Sequence, residues 1–173
     1  MNWILWVVVG LLGLIAAAWG IGMILPKGHS VSRTLRLNQP PEAVWQAVTD
    51  YAAMPAWRGD LAKVERLPDA GGHEVWRETM KNGYVIPLET VESAPPRRLV
   101  RKIADPKLPF GGAWTYEIAA TGPGSALKIT EDGEVYSPIF RVVSRFTDQA
   151  ATITGFLTAL AKKFQEEPRF GED

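Results

Sequence analysis

The 173-residue sequence contains no cysteine, which excludes disulfides, thiolate metal sites and cysteine nucleophiles in any compartment. Histidine is nearly absent. His29 and His73 stand apart, with no HExxH pair and no Asp-rich loop, so neither a protein-built metal site nor a cofactor is expected. Neither sign of charge is in excess: 19 Lys and Arg balance 19 Asp and Glu, which removes the broad basic field that draws a protein to nucleic acid. The GxSxG elbow and the phosphate-binding glycine loop are missing as well, and with them the motif-level evidence for hydrolytic or nucleotide chemistry.

What the sequence does contain begins with a long apolar run. Between Trp3 and Leu25 no charged side chain occurs. As a helix, at ~1.5 Å per residue, this run reaches about 35 Å, enough to cross a hydrocarbon core of roughly 30 Å. A secretory signal would have a basic start, a shorter apolar core and a small-residue cleavage site. Here Met1 and Asn2 carry no positive side chain, and Ala16-Ala17-Ala18 lies inside the run. Trp3 and Trp6 at one end and Trp19 toward the other suit rings seated at the two interfaces, and Pro26 ends the helix. Residues 1–26 are therefore expected to form a single-pass transmembrane helix. Lys27, Arg33 and Arg36 follow it, so the positive-inside rule places the rest of the chain in the cytoplasm. Ala16/Gly20 and Ala18/Gly22 have the spacing of helix–helix contacts in membranes, and equally of small residues that face lipid.

Residues 27–167 read as one α+β domain and 168–173 as a flexible tail. In 29–38, Val31, Leu35 and Leu37 against polar neighbours indicate a half-buried strand. Pro40-Pro41-Glu42 opens a helix over 41–49 with Ala43, Val44, Ala47 and Val48 on one stripe. Asp50 caps a second short helix that Pro55 ends, and Trp57 follows. Turn signals then divide the chain into strands near 61–67, 73–80, 84–92, 97–104, 113–121 and 125–135, and Asn82-Gly83 marks a tight hairpin. After Ser137-Pro138, the apolar residues Ile139, Val142, Val143, Phe146, Ala150, Ile153, Leu157, Leu160 and Phe164 recur at three- and four-residue steps. That spacing predicts one long amphipathic helix, with Gly155 inside it at a cost of ~1 kcal/mol relative to alanine.

The order of one strand, two short helices, six strands and a long last helix resembles the helix-grip fold, a curved antiparallel sheet of about seven strands around a C-terminal helix. Local patterns agree: Pro41-Glu42-Ala43-Val44-Trp45, Pro55-Ala56-Trp57, Ala94-Pro95-Pro96-Arg97-Arg98-Leu99, Gly112-Ala113-Trp114-Thr115-Tyr116-Glu117-Ile118 and Ile129-Thr130-Glu131-Asp132-Gly133-Glu134. Residues 30–166 are similar to the polyketide cyclase/dehydrase and lipid-transport family of the SRPBCC superfamily, which includes START-like domains. The resemblance implies a cavity between sheet and helix that takes an apolar or amphipathic ligand.

Strand alternation selects the inward face. It comprises Trp76 and Met80 with Glu78 between them, Tyr84, Ile86 and Leu88, Leu99, Arg101 and Ile103, Trp114, Tyr116 and Ile118, and Leu127, Ile129 and Glu131. From this face Trp76, Tyr84, Leu99, Arg101, Trp114, Tyr116, Ile118, Leu127, Ile129 and Glu131, with Phe146 and Ile153 of the last helix, are the candidate ligand contacts. Arg101 and Glu131 share inward parity, so they pair with each other or hold a ligand's polar head. Leu108 and Phe110, followed by Gly111 and Gly112, form a loop that is a candidate lid with a glycine hinge, a toe in the membrane surface, or a loop folded on its own core. The expected function is a membrane-anchored module that binds or carries a hydrophobic or lipid-like small molecule. A cyclase-, aromatase- or dehydratase-type enzyme and an adaptor that docks a partner protein are the alternatives.

Overall fold

In the computed structural model, which describes residues 2–171, the apolar run forms one helix, α1 (Asn2–Ile24), with large hydrophobic side chains exposed along it. By length and composition it is able to cross a membrane. A short link through Pro26 leads directly into β1 (Gly28–Leu37).

Two helical segments follow. In α2 (Pro41–Thr49), Val44, Ala47 and Val48 recur at helical spacing and are buried. A 3₁₀ turn (Tyr51–Ala56) comes next, and the Asp50 carboxylate accepts from the Ala53 N–H at 3.3 Å, the expected cap. The strands are β2 (Leu61–Ala70), β3 (His73–Met80), β4 (Val85–Ala94), β5 (Arg98–Ile103), β6 (Phe110–Thr121) and β7 (Gly124–Val135). At the β3–β4 hairpin, Gly83 takes a positive φ and its N–H donates to the Met80 carbonyl, as the Asn82-Gly83 pair indicates.

The sheet order is β2-β3-β4-β5-β6-β7-β1-β8, with every neighbouring pair antiparallel. The eighth strand, β8 (Arg169–Phe170), lies against Leu35 and Arg36. Just before it, the Glu166 carboxylate accepts from the Asn38 N–H and the Gln39 amide. The expected loose tail is thus corrected as far as residue 171, whose N–H donates to the Thr34 carbonyl; residues 172–173 lie outside the described residues.

The last helical region also differs from the expectation. It is two helices, α3 (Pro138–Ser144) and α4 (Ala151–Lys163), separated by residues 145–150. The break has a local cause. The Thr147 hydroxyl donates to the Ser144 carbonyl, and the Asp148 carboxylate accepts from the Ala150 N–H at 2.9 Å, so side chains supply bonds that a continuous helix would make through its backbone. Only α4 serves the core. Its Ile153, Phe156, Leu157, Leu160 and Ala161 are buried against Leu35, Leu99, Tyr116, Ile118, Leu127 and Ile129 of the sheet. The apolar stripe is continuous in sequence, but its first half faces outward: Phe146 is 87% exposed.

Candidate functional site

On the inner face of the sheet, under α4, lies a cavity of about 60 Å³. Its walls come from most layers of the fold: Arg58 after the 3₁₀ turn, Glu78 of β3, Arg101 of β5, Trp114 and Tyr116 of β6, and Phe156 of α4. Leu88, Ile129, Thr152 and Ile153 complete it. The volume admits a few water molecules and is well below the roughly 300–1,000 Å³ of a typical drug-sized site.

The polar wall is a buried ion network. Arg101 Nη1 donates to Glu78 Oε1 at 2.7 Å, and Arg58 Nη1 donates to Glu78 Oε2 at 2.9 Å. Arg58 also holds Asp60 through Nη2 at 2.7 Å and Nε at 3.3 Å. One carboxylate deep in the fold therefore bridges two guanidinium groups. Burial raises the Asp60 carboxyl, but the hydrogen bonds and charge of Arg58 outweigh it and hold it below the usual carboxylate range. Burial pushes the Tyr116 hydroxyl up to about 12, against the opposing charge of Arg101, so at neutral pH it is a proton-bearing donor.

Arg101 is 2% exposed, and its ring-facing side lies over Tyr51 with the guanidinium carbon 4.0 Å from the centroid. Yet its Nε and Nη2 find no hydrogen-bond partner among the described residues. Leaving a buried donor unpaired costs about 1–3 kcal/mol, so such a group calls for an explanation. Two unpaired donors on a cavity wall, beside the Tyr116 hydroxyl, are suited to an acceptor oxygen: a carbonyl, a hydroxyl or a carboxylate.

Of the residues expected to meet a ligand, Arg101, Trp114, Tyr116, Ile129 and Ile153 come together around the cavity. Leu99, Ile118 and Leu127 are buried in the core but do not line it. Trp76 is half-buried outside the cavity, with its ring 5.5 Å from Tyr51 and its indole N–H on Glu74. Tyr84 and Phe146, 54% and 87% exposed, do not face the cavity. Arg101 and Glu131 do not pair. Register explains this: Trp114 stands opposite Arg101 on one side and Glu131 on the other, and its indole N–H occupies the Glu131 carboxylate at 2.9 Å. His29 Nε2 lies 3.6 Å from the same carboxylate. Burial raises the Glu131 carboxyl, and Trp114 and His29 oppose this only in part.

The hinge expectation is corrected too. Gly111 and Gly112 are laddered to Glu134 and Gly133 within β6 and β7, with Phe110 opposite Val135 and Leu108 in the turn before them. Gly112 has φ +143, and a Cβ there would overlap the Asp132 carbonyl, so glycine serves close strand approach and not motion. Sequence inspection missed Arg58, Thr152 and Phe156 as cavity residues. Phe156 falls at helical spacing between Ile153 and Leu160 and was legible. Arg58 follows a 3₁₀ turn, where no periodicity marks it.

An antiparallel sheet curved over a C-terminal helix, with a cavity between them, defines a helix-grip domain of the SRPBCC superfamily. Residues 28–166 match the family described as polyketide cyclase/dehydrase and lipid transport, and the chain belongs to it. It is thus an SRPBCC domain for hydrophobic ligands. No curated protein matches the chain. Solved structures share the fold. A START superfamily protein from Mycobacterium smegmatis is 18% identical, with TM-score 0.65 over 79% of this chain and 97% of that one. The Zhui aromatase/cyclase from Streptomyces sp. R1128 is 14% identical, with TM-score 0.66 over 80% and 94%. Norcoclaurine synthase from Thalictrum flavum is 14% identical, with TM-score 0.64 over 81% and 95%.

Proposed function

We propose that the chain is a membrane-anchored binding module for an apolar molecule with one oxygen-bearing head. The head accepts from Arg101 and Tyr116, and the body lies between Trp114, Ile129 and the α4 residues Ile153 and Phe156. The observation that carries this reading is the pair of unpartnered donors on Arg101 in the wall of a cavity that Leu88, Ile129, Ile153 and Phe156 also line. The family supports the ligand class. A body larger than the cavity requires α4 and Trp114 to part. Residues 145–147, the first part of the link between the helices, are exposed and, among the described residues, make short-range backbone bonds only to α3, so that segment is the natural place for such movement.

The anchor belongs to the same reading. The apolar side chains of α1 are exposed, unlike those of a soluble core helix, and suit a hydrocarbon surrounding. By the positive-inside rule, Lys27, Arg33 and Arg36 favour the cytoplasmic side for the domain. A ligand that partitions into the bilayer is then presented within reach of the cavity.

Two small probes test the head. Binding of 1-naphthoate and of naphthalene to the full chain in detergent micelles is measured by calorimetry, for wild type and Arg101→Met. The expected result is preference for naphthoate, lowered roughly tenfold or more by the substitution, as for a lost charge-assisted bond, with naphthalene little changed. Equal binding of both probes, or a preference that survives the substitution, overturns the assignment of the head to Arg101.

A further inference from the structure

The side of α3 away from the core is apolar and uncovered. Ile139, Phe140 and Val143 of α3 are 41%, 58% and 51% exposed, and Phe146 just after it is 87% exposed. Contiguous apolar surface of this kind marks an interaction site. The same helix is fastened to the end of α1. Arg141, which is buried, donates through Nη1 to the Gly22 carbonyl at 3.0 Å, and through Nε and Nη2 to the Val135 and Tyr136 carbonyls at 2.8 Å each. Gly22 approaches Pro138 so closely that a Cβ there would overlap the Pro138 carbonyl oxygen. The small residue at position 22 therefore packs on the chain's own domain.

This contact fixes a depth. Gly22 lies inside the apolar span Trp3–Ile24, about 3 Å of helical rise from its end. A backbone in contact with Gly22 sits at that level, so wherever α1 leaves the hydrocarbon, α3 begins in the boundary layer. Beside α3 runs an apolar groove of about 350 Å³, lined by Tyr84, Phe110, Val135, Phe140 and Val143. Tyr84 and Phe110 meet across it with ring centroids 6.3 Å apart.

We infer that α3 is an interfacial helix, embedded in the lipid surface through Ile139, Phe140 and Val143 together with Phe146 just beyond it, and that the groove beside it opens to the bilayer. The occupant is lipid because α3 is packed on the end of the apolar helix α1 through Pro138 and Arg141, and because β1 begins too soon after α1 to let the domain swing away. An amphipathic helix in this position buries its apolar face in the headgroup–acyl boundary. The domain is then held at two points, in one orientation. The inference rests on α1 spanning the membrane, and the test separates the two.

The cysteine-free chain permits single-site spin labelling of the full protein in phosphatidylcholine/phosphatidylglycerol nanodiscs. Labels at F140C, V143C and F146C are compared with L12C in α1 and K128C on the exposed side of β7, using oxygen and a nickel chelate as relaxants. The expected result is loss of nickel accessibility at 140, 143 and 146 relative to 128, at a depth shallower than 12. Nickel accessibility at those three sites equal to that at 128, with 12 deep in lipid, overturns the inference and leaves the anchor standing. Nickel accessibility at 12 itself overturns the anchor and the inference together. Spin–spin broadening at 143 that disappears on dilution with unlabelled chain shows a second copy on this face, and also overturns it.

Discussion

Arg101 and Glu78 meet at 2.7 Å in the interior, 2% and 5% exposed at their side chains, and the other oxygen of Glu78 holds Arg58. The pair joins β5 to β3 across β4 and sets the polar end of the cavity. Because Glu78 serves two cations, its removal and the removal of Arg101 have unequal consequences.

Among the described residues, Glu78→Leu leaves Arg58 with Asp60 as its one carboxylate and Arg101 with none. An uncompensated buried charge of this kind costs about 3–5 kcal/mol. Arg101→Met leaves Glu78 paired with Arg58 and is expected to cost clearly less. Urea unfolding of both variants in micelles checks the order.

Stability against pH follows the signs of two shifts. Tyr116 ionises near 12 when folded and near 10 when unfolded, so the folded chain retains a proton that the unfolded chain loses. Its contribution is present below 10 and declines as pH rises from 10 to 12. Asp60 is shifted the other way: the stability it contributes is present above its unfolded value of 3.8 and is lost as pH falls below that through the lowered folded value. Melting temperatures across pH, with Tyr116→Phe flattening the alkaline limb and Asp60→Asn the acid limb, check both signs.

Gly155 lies inside α4, and a Cβ there would meet open space, so no close approach requires glycine. Gly155→Ala is expected to stabilise the helix by roughly 0.5–1 kcal/mol, read as a rise in melting temperature.

Gly112→Ala has the opposite sign. The positive φ and the overlap with the Asp132 carbonyl predict a loss of about 1–3 kcal/mol, measured in the same assay.

How much of this was legible in the sequence depended on whether the cause was local. Period-two alternation and turn residues located the strands to within a few positions, and the Asn82-Gly83 hairpin formed as its chemistry demands. Parity also put Arg101, Trp114 and Tyr116 on the cavity side. Parity is silent on register, however. Trp114 stands between Arg101 and Glu131, a fact of strand alignment, so the expected pair did not form. The long last helix failed for a different reason. Its apolar spacing continues through the break, but Asp148 and Thr147 divert the backbone, and the first half of the stripe turns away from the core. Phe110 to Gly112 read as a loop because glycine and proline punctuate it, whereas the glycines permit close pairing of β6 and β7.

An apolar ligand is proposed to occupy the cavity under Trp114 and Tyr116. Native mass spectrometry of the full chain, released from nanodiscs made with total cellular lipid, tests it most directly when wild type is compared with Ile153→Trp, a substitution that fills the cavity from α4. A non-covalently bound apolar mass is expected on the wild type and its loss in the variant, with circular dichroism unchanged. A wild-type chain that stays empty, or a bound mass retained equally by a correctly folded Ile153→Trp, contradicts it.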